Sequence, residues 1–265
     1  MATRWIAVTL IALACTGCFR ATTLVTVRPD GSGTIDQEMG MKPETLAMLK
    51  GFASANGAEG SKSLTTDMFT EQQAREMATK MGVRFVSGEP VKTDEMEGYR
   101  ARYAFDDITK LNVQMNEQAA QMAEASGSAD KTEARSPVGF QFSRGASTST
   151  LTIRMPEQTP STPLTGGRGD QSQDPMQNAQ ALAMVKTMMA GLYVDMSLAV
   201  EGRIVKTNAP TPSANRITLL QMDFDKLLQD PTALQKLQQS KSITSLQGVA
   251  GLTVAPTPLT IEFGR

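Results

Sequence analysis

"TTLVTVRPDGSGTIDQEMGM" (Thr22–Met41) decides how the rest of the chain is read. On either side of its PDGSG centre, apolar and polar residues alternate. Val25 and Val27 share one phase, and Ile35, Met39 and Met41 share another. Period-two alternation marks strands with one buried face, and Asp30-Gly31 is a strong short-range hairpin signal. The same run overlays an EF-hand loop, with Asp30, Ser32, Thr34 and Asp36 on ligand positions and Gly33 on the turn glycine. That alignment puts Arg28 and Met39 where the loop needs its first aspartate and its bidentate glutamate. An arginine there repels a cation, so the stretch reads as a β-hairpin.

Working outward, Lys42–Ala55 reads as a helix with Leu46, Leu49 and Phe52 on one face. A second helix is bracketed by a Thr70/Gln73 capping box and by Gly82 after its last turn. Strand patterns follow at Val83–Asp94 and Gly98–Phe105, the latter with Tyr99, Ala101, Tyr103 and Phe105 on one side and Arg100 and Arg102 on the other. Val138–Pro156 reads as another hairpin, and Leu192–Val200 as a strand whose even-numbered apolar residues point one way. Asp174-Pro175 opens a helix ahead of it, running to Gly191. Gly202–Ala209 and Asn215–Phe224 continue the sheet, one or two short helices follow, and Pro258–Gly264 closes it. The expected fold is α+β: a curved antiparallel sheet of hairpins covered on one side by short amphipathic helices. It forms one domain, residues 18–265, interrupted by flexible polar insertions at about 116–137 and 157–174. The second insertion contains Arg168-Gly169-Asp170, the tripeptide of integrin ligands, for which exposure in a loop is permissive rather than evidential.

Residues 1–17 read as an export signal: a basic start, then the apolar run Trp5–Ala14, too short to span a bilayer of ~30 Å. The run ends in "ALACTGC" (Ala12–Cys18), the pattern of a bacterial lipobox, with Cys18 as the acylated residue. Both cysteines, Cys15 and Cys18, lie in this segment, so no internal disulfide framework is expected. Acyl chains on Cys18 would hold the protein at a membrane, each buried CH₂ contributing about 0.8 kcal/mol. Phe19, where an aspartate would favour retention at the inner membrane, favours the outer one by resemblance to enterobacterial sorting.

Composition narrows the chemistry. There is no histidine, which removes Ser-His-Asp triads, Cys-His pairs, histidine-ligated metals and imidazole proton shuttles. With 26 basic and 27 acidic residues spread along the chain, no electrostatic footprint for nucleic acid is present. Trp5 is the only tryptophan and falls in the signal, so stacking platforms are scarce. The 17 methionines are scattered at apolar phases, where Met fills core gaps. No cofactor or metal is expected. Paired carboxylates remain at Asp106/Asp107 and Asp223/Asp225, but aspartates at strand-to-helix junctions usually serve as N-caps.

At "VTVRPDGSGTIDQEM", "GYRARYAFDDITKL" and "LAVEGRIVKTNAPTPSANRITL" the chain resembles bacterial lipoproteins of the LppM-type domain. Members begin just after the lipidated cysteine with a strand-DGSG-strand hairpin and later carry a Gly-x-[IV]-x-x-[ST]-Asn strand pair. Here the later match is Gly202, Ile204, Thr207 and Asn208. The resemblance spans about half the chain, its motifs are structural, and it implies no catalytic residue. The expectation is a non-enzymatic lipoprotein of the bacterial cell envelope, facing the periplasm and held at the membrane through Cys18. Its folded domain would engage an unknown envelope protein or, alternatively, carry a lipid or other apolar ligand.

Overall fold

The computed structural model describes residues 19–47, 69–113, 138–155, 190–230, 232–233, 236 and 247–264. In chain order the elements are β1 (Phe19–Val27), β2 (Gly33–Met41), α1 (Glu71–Met81), β3 (Arg84–Lys92), β4 (Glu97–Phe105) and a 3₁₀ turn (Ile108–Lys110). Then come β5 (Gly139–Arg144), β6 (Thr148–Arg154), β7 (Tyr193–Val200), β8 (Arg203–Thr207), β9 (Arg216–Asp223), α2 (Phe224–Gln229), β10 (Leu252–Val254) and β11 (Leu259–Gly264). Both insertions, the helix expected before Gly191, most of the helix expected after Lys42, and Cys18 lie outside the described residues.

The opening hairpin forms as its sequence dictates. β1 and β2 pair antiparallel from Phe19↔Met41 to Val27↔Gly33. The turn is closed by Arg28 N–H donating to Ser32 O at 2.8 Å. The Asp30 carboxylate accepts from the Ser32 N–H at 3.0 Å and from its hydroxyl at 2.7 Å. These bonds, from the hydroxyl first and then the backbone, hold the Asp30 carboxyl below the usual aspartate range.

The strands make two sheets rather than one. The larger has the order β10-β9-β7-β1-β2-β4-β3, the smaller β5-β6-β11-β8. This corrects the expectation of a single antiparallel sheet in two ways. First, β7 runs parallel to β1, from Arg20↔Tyr193 to Val27↔Val200. A tight hairpin forces antiparallel pairing, but β7 reaches β1 by a long connection, which leaves its direction free. Second, β8 and β11 pair with each other instead of completing the first sheet. The chain leaves β7 through Gly202 at φ 125°, a conformation that L side chains rarely adopt, and β8 starts in the other sheet.

One apolar core joins the sheets. Val25, Ile35, Tyr103, Leu198 and Ile217 from the larger meet Leu151, Ile153, Ile261 and Phe263 from the smaller, all nearly inaccessible to water. Helix α1 adds Ala74, Ala78 and Met81 and packs on β3 and β4. Its ends are those read from sequence: Thr70 Oγ1 accepts from the Gln73 N–H at 3.3 Å, and Gly82 closes the C-terminus. On β4 the four residues of the alternating apolar phase are buried. Within it Tyr103 donates to Gln37 Oε1 at 3.4 Å, and burial, with a contribution from Tyr99, pushes its phenol up to about 12. Among the described residues no helix is long and apolar enough to cross a membrane.

Candidate functional site

Register brings together a site that no single stretch of sequence displays. Arg20, at the start of β1, pairs with Tyr193 of β7, which pairs with Asp223 of β9. On the other side Phe19 pairs with Met41 of β2, and Met41 with Glu97 of β4. Between these strand ends opens a cleft of about 800 Å³ whose walls include Phe19, Met41, Met96, Arg20, Tyr193 and Asp223. Phe19 is buried in a small apolar cluster with Ala21, Met41 and Leu46.

The polar walls have defined partners. The Arg20 guanidinium lies over the Tyr193 ring, 5.1 Å from its centroid, and the Tyr193 hydroxyl accepts from Gln221 Nε2 at 2.7 Å. Arg100 donates from Nε and a terminal nitrogen to Glu38 Oε2 at 2.8 and 2.6 Å, and reaches Glu89 at 3.2 Å. Two residues along β4, and not among those lining the cleft, Arg102 is paired with Asp36 at 2.6 Å. Arg100 and Arg102, on the polar side of β4, are therefore each engaged by cross-strand carboxylates. Such exposed pairs contribute about 0–1 kcal/mol each. The cleft is thus an amphipathic surface of mixed charge.

The aspartate pairs lie apart. Asp106 and Asp107 follow β4 at the end where Phe105 pairs with Gly33, whereas Asp223 and Asp225 lie at the end marked by Arg20 and Tyr193. Asp107 Oδ1 caps the 3₁₀ turn, accepting from the Thr109 N–H at 2.9 Å and its hydroxyl at 2.7 Å. Asp223 caps α2, accepting from the Lys226 N–H at 3.2 Å with the ammonium 2.9 Å away. Asp225 accepts from the Gly191 N–H at 2.6 Å, and Asp106 is exposed.

Both capping carboxyls sit below the ordinary aspartate range. Thr109 lowers that of Asp107, and at Asp223 burial pushes up but the bonds from Lys226 outweigh it. Asp107→Ala and Asp223→Ala should each cost about 1 kcal/mol at neutral pH, the usual worth of an N-cap. A depressed folded-state pKa gives stability that is present above the unfolded value, about 3.9, and lost as pH falls through the folded one. Denaturant titrations of wild type and variants should therefore converge as pH drops below about 4. A gap that persists unchanged in acid would mean that the carboxylates are not acting as charged caps.

The architecture defines the protein as α+β, mostly sheet, with few helices and open sheets. No family model matches the chain, and a search of curated proteins finds no significant match. Among solved structures it is similar to the folded domain of Mycobacterium tuberculosis LppM, determined by NMR. There the identity is 10%, 94% of this chain and 91% of that one are covered, and the TM-score is 0.34, a distant structural resemblance.

Sequence reasoning singled out Asp223 and Asp225 as a carboxylate pair, but not the cleft that they line. Arg20, Tyr193 and Asp223 are far apart in the chain, and the parallel β1–β7 pairing that brings them together follows from no local pattern.

Proposed function

We propose that the chain is a lipid-anchored protein of the bacterial envelope, joined to the membrane by acylated Cys18 and facing the periplasm from the outer membrane. Its folded domain is a non-enzymatic binding module. The observation that carries this reading is the run Ala12–Cys18, which holds both cysteines of the chain and directly precedes β1. The partner is an envelope protein. Strands β3 and β8, each last in its sheet's order, carry the two large hydrophobics that are exposed among the described residues, Val86 and Val205, and suit pairing with an added strand.

The test is expression of wild type and Cys18→Ser in a host with lipoprotein processing. Wild type should fractionate with membranes and carry acyl mass on an N-terminal cysteine peptide, while Cys18→Ser should lose both. An unmodified mature wild-type N-terminus would refute the anchor. A second reading, carriage of a lipid or other apolar ligand, draws on the cleft of about 800 Å³, because the apolar inner face is packed as core. A co-purified apolar mass released on unfolding, seen by native mass spectrometry, would favour it.

A further inference from the structure

The two ends of the larger sheet differ in their distance from Cys18. At one end lie Phe19, Met41, Glu97 and Lys92 in register, together with Arg20, Tyr193 and Asp223, around the cleft. At the other lie Val27, Gly33, Phe105 and Val200. β1 and β4 each run nine residues between the ends, which sets them about 30 Å apart.

Cys18 directly precedes Phe19, and Phe19 is already paired with Met41 and buried. Consecutive Cα atoms are ~3.8 Å apart, so a lipid on Cys18 has no tether separating it from the sheet. A flexible tether of n residues would let the domain stand off by about 5–6 Å × √n. We propose that the cleft-bearing end of the larger sheet docks directly on the phospholipid headgroup layer, with β1 and β4 rising away from it. This rests on acylation of Cys18.

The chemistry of that end fits a zwitterionic headgroup such as phosphoethanolamine. Arg20 is exposed, stacked on Tyr193, and without a carboxylate partner among the described residues, so its guanidinium is available to a phosphate. Glu95, exposed on the adjoining β3–β4 turn and lining the cleft, supplies an anion for the ammonium group. The surface potential at this end is mixed rather than basic, so anionic lipid is not required.

The experiment uses the full acylated protein in vesicles of phosphatidylethanolamine and phosphatidylglycerol doped with a headgroup nitroxide. Cys18 is the only cysteine left after cleavage and is blocked by its lipid, so Asp94→Cys or Asp106→Cys each gives one labelling site for a fluorophore. Both residues are exposed and they flank β4 at opposite ends. Emission at position 94 should be largely lost to quenching, and emission at 106 retained. A flexible Gly/Ser insertion between Cys18 and Phe19 should restore emission at 94. Equal emission at both sites in protein whose acyl mass is confirmed would overturn the docking while leaving the anchor intact. Absence of acyl mass on Cys18 would overturn both.

Discussion

Gly33→Val should lower stability by about 3 kcal/mol, the upper part of the range for overpacking. The reason is backbone geometry. A Cβ at Gly33 would overlap the Thr26 carbonyl oxygen and come within 2.5 Å of the Phe105 ring. Neither obstacle can yield locally. Gly33 pairs with Val27 on one side and Phe105 on the other, so relief requires parting β2 from both neighbours. Gly139→Ala is the contrast within the same protein. There the added Cβ meets Arg154 Cβ at 3.6 Å, an ordinary contact, and the change should stay within about 0.5 kcal/mol. Urea unfolding of the three proteins measures this through the midpoint at constant m-value. Equal stability of Gly33→Val and wild type would mean that the strands do not approach as closely here as described.

Phe263→Ala should cost about 3–5 kcal/mol, because it removes a fully buried ring and leaves a cavity that the surroundings fill only in part. Phe263 lies on β11 between Ser149 of β6 and Ile204 of β8, and its exposure is 0%. It belongs to the same buried cluster as Leu198 and Tyr103 of the larger sheet. The loss should therefore appear in probes of both sheets, with fluorescence and circular dichroism transitions shifting together. A cost below about 1 kcal/mol, well under the range for such truncations, would show that β11 is not packed as core. A shift confined to one probe would show that the sheets unfold separately.

These variants depend on different kinds of information. The hairpin around Asp30-Gly31, the burial phase of β4 and both ends of α1 are visible in sequence. Each rests on neighbours within one turn or one strand, where side-chain periodicity and capping chemistry act locally. Capping by Asp107 and Asp223 is equally local, since each carboxylate accepts from a backbone N–H two or three residues on.

The sheet assignment of β8 and β11 was not legible in this way. Alternation in Leu259–Gly264 says that one face is buried, and either sheet could bury it, while Arg203–Thr207 neither alternates nor buries a residue fully. Likewise nothing in Tyr193–Val200 names β1 as its neighbour or sets the direction of pairing. Asp195 and Ser197 on its other face are buried too, hydrogen-bonded to each other at 2.8 Å, as befits a strand in mid-sheet.

By itself, then, the sequence determined the opening hairpin, both ends of α1, the apolar face of β4 and the lack of histidine chemistry, whereas β10 was not read from it. Tertiary structure alone decided that the strands divide into two sheets, that β7 enters parallel to β1, and that Arg20, Tyr193 and Asp223 meet beside Phe19. The physical reason is range. Turns and caps are set by hydrogen bonds between near neighbours, whereas strand order is chosen by which apolar faces pack together across long connections, and the cleft exists only once that choice is made.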